Sequence, residues 1–148
     1  MKLGYLIRGF PGHPLHPPLT DATIGAYTVS AALGFLGWLG VAEDRLASAW
    51  WLALIVGLIV SAPTALTGLA EWLGITRGTE LWKTATAHML AMLTATVFFG
   101  LAAIFGHGAY DDSEVSGGSL FLTLLGYVLL TAGGYLGGTS SLSAACAC

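Results

Sequence analysis

The sequence predicts an all-α integral membrane protein, a four-helix antiparallel bundle, and three observations carry that expectation. Hydrophobic residues make up 55% of the 148 residues and charged ones only 9%, against about 25% charged in an average soluble domain. Four long runs, 22–42, 46–70, 84–110 and 115–148, contain no Asp, Glu, Lys or Arg. No segment shows the alternating polarity of a membrane-spanning strand, and a closed barrel is the only other structure that satisfies its backbone inside a bilayer.

A hydrocarbon core about 30 Å thick needs roughly 20 helical residues, so each run crosses once. Pro14, Pro17 and Pro18 disfavour helix at the residue before each of them, which predicts an extended N-terminal segment over residues 1–20. Thr20 or Asp21 then caps a first helix over about 21–41. Glu43, Asp44 and Arg45 read as a polar turn, and Ser48 as the cap of a second helix over about 48–74. A short loop leads to a third helix over about 81–106, and the polar stretch Asp111–Gly118 to a fourth over about 118–138. Residues 139–148 read as a flexible tail. Connections this short dictate an up-down antiparallel bundle.

The basic residues give the orientation. Lys2, Arg8, Arg77 and Lys83 fall on the side of the N-terminus and the second loop, while Arg45 stands alone on the other with Glu43, Asp44, Asp111, Asp112 and Glu114. Lys and Arg stay preferentially in the cytoplasm, which places the protein in a bacterial inner membrane with both termini cytoplasmic. The first apolar run is too long for a secretory signal and lacks a convincing cleavage site. A net charge of -3 argues against a nucleic-acid partner, and two Cys exclude a disulfide scaffold. Cys146 and Cys148 are too close in sequence for an unstrained disulfide, and metal binding or lipidation is a weaker expectation for them than an unconstrained tail.

Small residues recur on one face of each helix: Gly34, Gly37 and Gly40; Gly57, Ser61, Thr64 and Gly68, continuing to Glu71; Thr84, His88, Ala91 and Ala95; and the pairs Gly133–Gly137 and Gly134–Gly138. Such faces bring helices together in lipid, chiefly within the bundle, with oligomer formation through the Gly-rich faces as a further use. The residues show no internal repeat, so an inverted-repeat transporter finds no support.

Glu71 and His88 lie on these faces and therefore point inward, since polar groups at membrane depth avoid lipid. The topology brings His13, His16 and Asp21 to the same end, and only His107 to the other. Two functional readings follow, beside one in which these groups merely form a hydrogen-bonded packing layer. In the first, His16 and His88 are axial ligands to haem b, with Glu71 beside them. In the second, a zinc- or copper-like ion is bound by His16, His88 and Glu71 or, as in a small metal-ion carrier, by His13, His16 and His88. In an extended segment, His13 and His16 stand roughly 9 Å apart, so they share an ion only if the chain turns, and His16 is the better placed to face the bundle. No nucleophile–base pair, phosphate loop or catalytic carboxylate pair is present, which points to a non-enzymatic protein.

The stretches GHPLHPPLTDATIGAYT, SAPTALTGLAEWLG, TATAHMLAML and LLTAGGYLGG, in that order, resemble a bacterial family of four-helix membrane proteins known as domain of unknown function 2231. The resemblance covers Gly12 to Gly138 and picks out His13, His16, Glu71, Trp72 and His88. Some members resemble a membrane module fused to a Rieske iron–sulfur domain, which implies an electron-transfer role with, for this chain, a separate iron–sulfur redox protein as partner. Relatives carry a His after the Gly-Gly of the last helix, where this sequence has Thr139. The reading that results is a haem-binding electron-transfer module, with a structural or assembly subunit, or the metal-ion carrier, as alternatives.

Overall fold

The computed structural model describes residues 14–112 and 114–146, with side chains described for 14–111 and 114–138. The chain runs through α1 (His16–Trp38), α2 (Glu43–Trp72), α3 (Glu80–Phe105), the short α4 (Gly108–Asp112) and α5 (Gly117–Cys146). Four of these are long and apolar enough to cross a bilayer, over 23, 30 and 26 residues and, in α5, the 22 residues Gly117–Gly138. The shortest of these stretches rises about 33 Å at 1.5 Å per residue. The expected all-α four-helix membrane bundle is the fold, with no strand among the described residues.

The helix boundaries differ from the expected ones, each for a local reason. The first helix begins at His16, and so residues 16–20 are not extended. Pro17 and Pro18 stand in its first turn, after the N-cap Leu15 and His16, where the missing N–H has no intrahelical partner to lose and the fixed φ suits a helix. It ends where Gly40 takes φ +81° and the Val41 N–H bonds the Leu36 carbonyl at 3.1 Å, a left-handed glycine terminator.

The second helix starts at Glu43 rather than at Ser48, after Ala42 in a left-handed conformation. Glu43 and Asp44 fill its first turn and favour the positive end of the helix dipole. Ser48 therefore sits inside the helix and bonds the carbonyls of Asp44 and Tyr110. Pro63 lies within α2. Its own carbonyl accepts from the Thr67 hydroxyl at 3.0 Å.

Thr79 caps α3 by accepting from the Trp82 N–H at 3.2 Å. The connection after α3 contains α4, which sequence periodicity cannot reveal in five residues. Ser116 accepts from the Ser119 N–H at the start of α5, and this last helix continues through the expected flexible tail to Cys146.

Helix α1 packs along α2, and α3 along α5, as two hairpins. Contacts between the hairpins, α1 with α5 and α2 with α3, are sparser and equal in extent. The hairpins meet around Trp50, fully buried, with its indole against the bare backbones of Gly34 and Gly106. Its Nε1 donates to Thr123 Oγ1 at 3.3 Å, as a buried indole N–H requires. Tyr27 and Phe99 stack beside it. Large apolar side chains turn outward, with Leu66 67% and Phe121 65% exposed, as contact with acyl chains allows. Most of the glycines read as packing faces meet side chains of their own chain, while Gly40 and Gly138 have none within 4 Å among the described residues.

Candidate functional site

Beyond the Tyr27–Phe99 stack the hairpins part around a cavity of about 880 Å³, within the roughly 300–1,000 Å³ typical of ligand sites. Ser61, which accepts from the Tyr27 hydroxyl at 3.4 Å, lines its inner end. His16, Asp21, Glu71 and His88 also line it, with Met89 and Met92 from α3. No Lys or Arg is among the described lining residues, so the ionisable groups facing the cavity are imidazoles and carboxylates.

The two imidazoles come from the first helix of each hairpin. His16 opens α1, and its Nδ1 lies 3.1 Å from the Thr64 carbonyl and 3.3 Å from Thr67 Oγ1. A carbonyl only accepts, and the Thr67 hydroxyl already donates to backbone oxygen, so this network assigns the ring proton to Nδ1 and the lone pair to Nε2. The Thr20 hydroxyl is 3.5 Å from Nε2 but donates at 2.9 Å to the carbonyl of His16 itself. Midway along the first half of α3, His88 places Nδ1 2.7 Å from the Gly133 carbonyl. The same argument puts the proton of its neutral ring on Nδ1. The two ring centroids are 6.4 Å apart with an interplanar angle of 78°.

Each ring lies on a glycine one helical turn beyond the carbonyl it bonds. A Cβ on Gly68 would stand 2.7 Å from His16 Cε1, and one on Gly137 2.9 Å from His88 Cε1. These two glycines and the Thr64 and Gly133 carbonyls are what the sequence reading missed. It took the glycines as helix-packing positions. The available signal was the spacing, since both stretches place a glycine four residues after the accepting carbonyl.

Among the other expected site residues, Glu71 is half-buried on the cavity wall and acts electrostatically on His16. Trp72 lines the same cavity, donates to Thr86 Oγ1 at 2.9 Å and tilts against Trp82, tying α2 to α3. His107 lies at the opposite end, edge-on to Trp51. His13 lies outside the described residues, as does Cys148. Among the described residues, no three His, Cys, Asp or Glu side chains come together in a group that would hold a metal ion. Two imidazoles with free Nε2 lone pairs on a largely apolar cavity form instead a pair of nitrogen donors.

No curated protein and no solved structure matches the chain. The sequence model of one family, described as "Predicted membrane protein (DUF2231)", matches residues 12–146, and the chain, with its four helices long and apolar enough to span a bilayer, belongs to that family.

Proposed function

We propose that this protein is a non-enzymatic module of the bacterial inner membrane, with both termini cytoplasmic, that binds haem b between His16 and His88 and serves electron transfer with a separate iron–sulfur protein. One observation carries the reading: two imidazoles from different hairpins face a single cavity, 6.4 Å apart, each with Nδ1–H bonded to a backbone carbonyl. A centroid separation of 6.4 Å leaves room for one metal held by both rings at the usual nitrogen–metal length of about 2 Å. Ligating imidazoles characteristically give their other N–H to a carbonyl or carboxylate, which fixes the tautomer and strengthens the donor.

Haem bound here would supply one-electron chemistry at its iron. The chain's own contribution is to hold the two donors. The Thr64 and Gly133 carbonyls orient the rings. The iron–sulfur partner follows from the resemblance of family members to modules fused to Rieske domains. Oligomerisation through glycine faces has no part in this reading, because Gly34, Gly57, Gly68, Gly133 and Gly137 are occupied within the chain.

The test is an absorption spectrum of the detergent-purified protein, oxidised and then reduced with dithionite. A Soret band that shifts on reduction and collapses in His88→Ala supports the reading. A colourless protein refutes it.

A second reading, the structural subunit, is favoured by a different observation. Every buried side-chain N or O among the described residues has a hydrogen-bond partner, including the Thr23–Thr64 hydroxyl pair at 2.9 Å. It predicts that His88→Ala lowers stability while no cofactor is ever found.

A further inference from the structure

Helix α1 and α3 with its C-cap carry structurally matching residues at a constant offset of 72 positions: His16 and His88, Tyr27 and Phe99, Gly34 and the C-cap Gly106. Helices α2 and α5 do the same at an offset of 69: Gly57 and Gly126, Thr64 and Gly133, Gly68 and Gly137. The contacts match as well as the positions. Tyr27 lies on Gly57 as Phe99 lies on Gly126, and His16 on Gly68 as His88 on Gly137. The Thr64 carbonyl takes the His16 Nδ1–H as the Gly133 carbonyl takes that of His88. Between the halves, Tyr27 stacks on Phe99, His16 meets His88, and Trp50 touches both Gly34 and Gly106.

Corresponding helices run in the same direction in an up-down bundle. The relation is therefore a pseudo-two-fold along the membrane normal, the parallel kind of internal repeat, and not the inverted kind. The match lies in position and contact rather than in residue type, which is why the residues alone show no repeat.

We propose that the bundle is a duplicated helical hairpin, and that Gly68 and Gly137 are a matched pair of positioning residues, each holding one imidazole on the carbonyl four residues before it. The inference gives the ligand-site reading its geometry and rests on it for purpose, but the sockets are defined by the protein alone. A Cβ at either glycine stands less than 3.0 Å from the ring, so the ring must shift from its place against the carbonyl. The two halves of the site then fail independently. Gly138, one residue from Gly137 on the same helix, has no neighbour within 4 Å among the described residues and serves as the control.

The test uses the full chain in detergent with ¹⁵N-labelled histidine, free of haem. Two-bond ¹H–¹⁵N spectra of the native chain are expected to show Nδ1 protonated and Nε2 bare in both His16 and His88. Gly68→Ala should abolish that single tautomer at His16 alone, Gly137→Ala at His88 alone, and Gly138→Ala at neither. The thermal midpoint supplies a second readout. Adding His16→Ala to Gly68→Ala should recover more than half of the midpoint lost in the single variant, and adding His88→Ala should recover none. If Gly68→Ala does not fold, a folded His16→Ala/Gly68→Ala protein supports the proposal and an unfolded one overturns it. An unchanged His16 tautomer in Gly68→Ala, or equal disturbance of both rings by either variant, also overturns it. A protein that takes up no haem yet keeps both tautomers would end the haem reading and leave this one standing.

Discussion

Tyr27 of α1 stacks on Phe99 of α3 with ring centroids 3.8 Å apart and planes only 8° from parallel. The pair joins the two hairpins, and Ser61, which takes the Tyr27 hydroxyl, lines the cavity that the imidazoles face. Both rings are fully buried. Stacked aromatic pairs contribute roughly 0.5–1.5 kcal/mol beyond the area they bury, and the Tyr27 hydroxyl adds its bond to Ser61. Tyr27→Phe is expected to cost about 1 kcal/mol, the value of one hydrogen bond. Tyr27→Leu should cost clearly more. Unfolding midpoints of the two variants in one detergent check the order, and equal midpoints would show that the stack contributes nothing.

Trp50 is the largest fully buried side chain and the one that touches both hairpins at Gly34 and Gly106. Its removal leaves a cavity that small neighbours do not fill. Trp50→Ala is expected to lower stability by about 3–5 kcal/mol. Gly106→Ala should cost about 1–3 kcal/mol by overpacking, because its Cβ would collide with the indole. Thermal unfolding followed by circular dichroism measures both. In the double variant the penalties should fall short of their sum, since the collision disappears with the indole.

How much of this was legible in the sequence differs from residue to residue. The four spans were, because charge-free runs longer than a bilayer is thick leave no other reading. So was the inward direction of His88, from its place on a face with Thr84, Ala91 and Ala95. The start of α1 was not, because the rule that each proline penalises its predecessor competes with the tolerance for proline in a first turn, and at Pro17 and Pro18 the second won. The repeat was hidden for a different reason. Its two halves conserve shape rather than identity: Phe99 answers Tyr27 and Gly133 answers Thr64, where only a backbone carbonyl is used. A backbone acceptor leaves no mark on residue type.

Thr79 offers a check on the connection that spaces the two hairpins. Its side chain accepts from the Trp82 N–H, one of the N–H groups a helix start leaves unpaired. Thr79→Ala should cost about 1 kcal/mol, and Thr79→Ser or Thr79→Asp should restore most of it. Melting curves of the three variants settle the order.

The orientation is open to a reporter test. Arg77 lies on the connection between α2 and α3 and Lys83 in the first turn of α3, while Glu43, Asp44 and Asp111 lie at the opposite end of the bundle. Alkaline phosphatase fused after Arg77 is expected to be inactive, and fused after Asp111 active, because the enzyme matures only outside the cytoplasm. The reverse pattern would invert the protein in the membrane and put the imidazoles near the outer surface.

The central claim is that His16 and His88 together hold one cofactor. It is tested most directly by haem stoichiometry, measured as the pyridine haemochrome of purified protein loaded with haem b. The account predicts one haem per chain, loss of most of it in either His16→Ala or His88→Ala, and full retention in His107→Ala at the far end of the bundle. Equal haem content in all four proteins, or none in any, would contradict it.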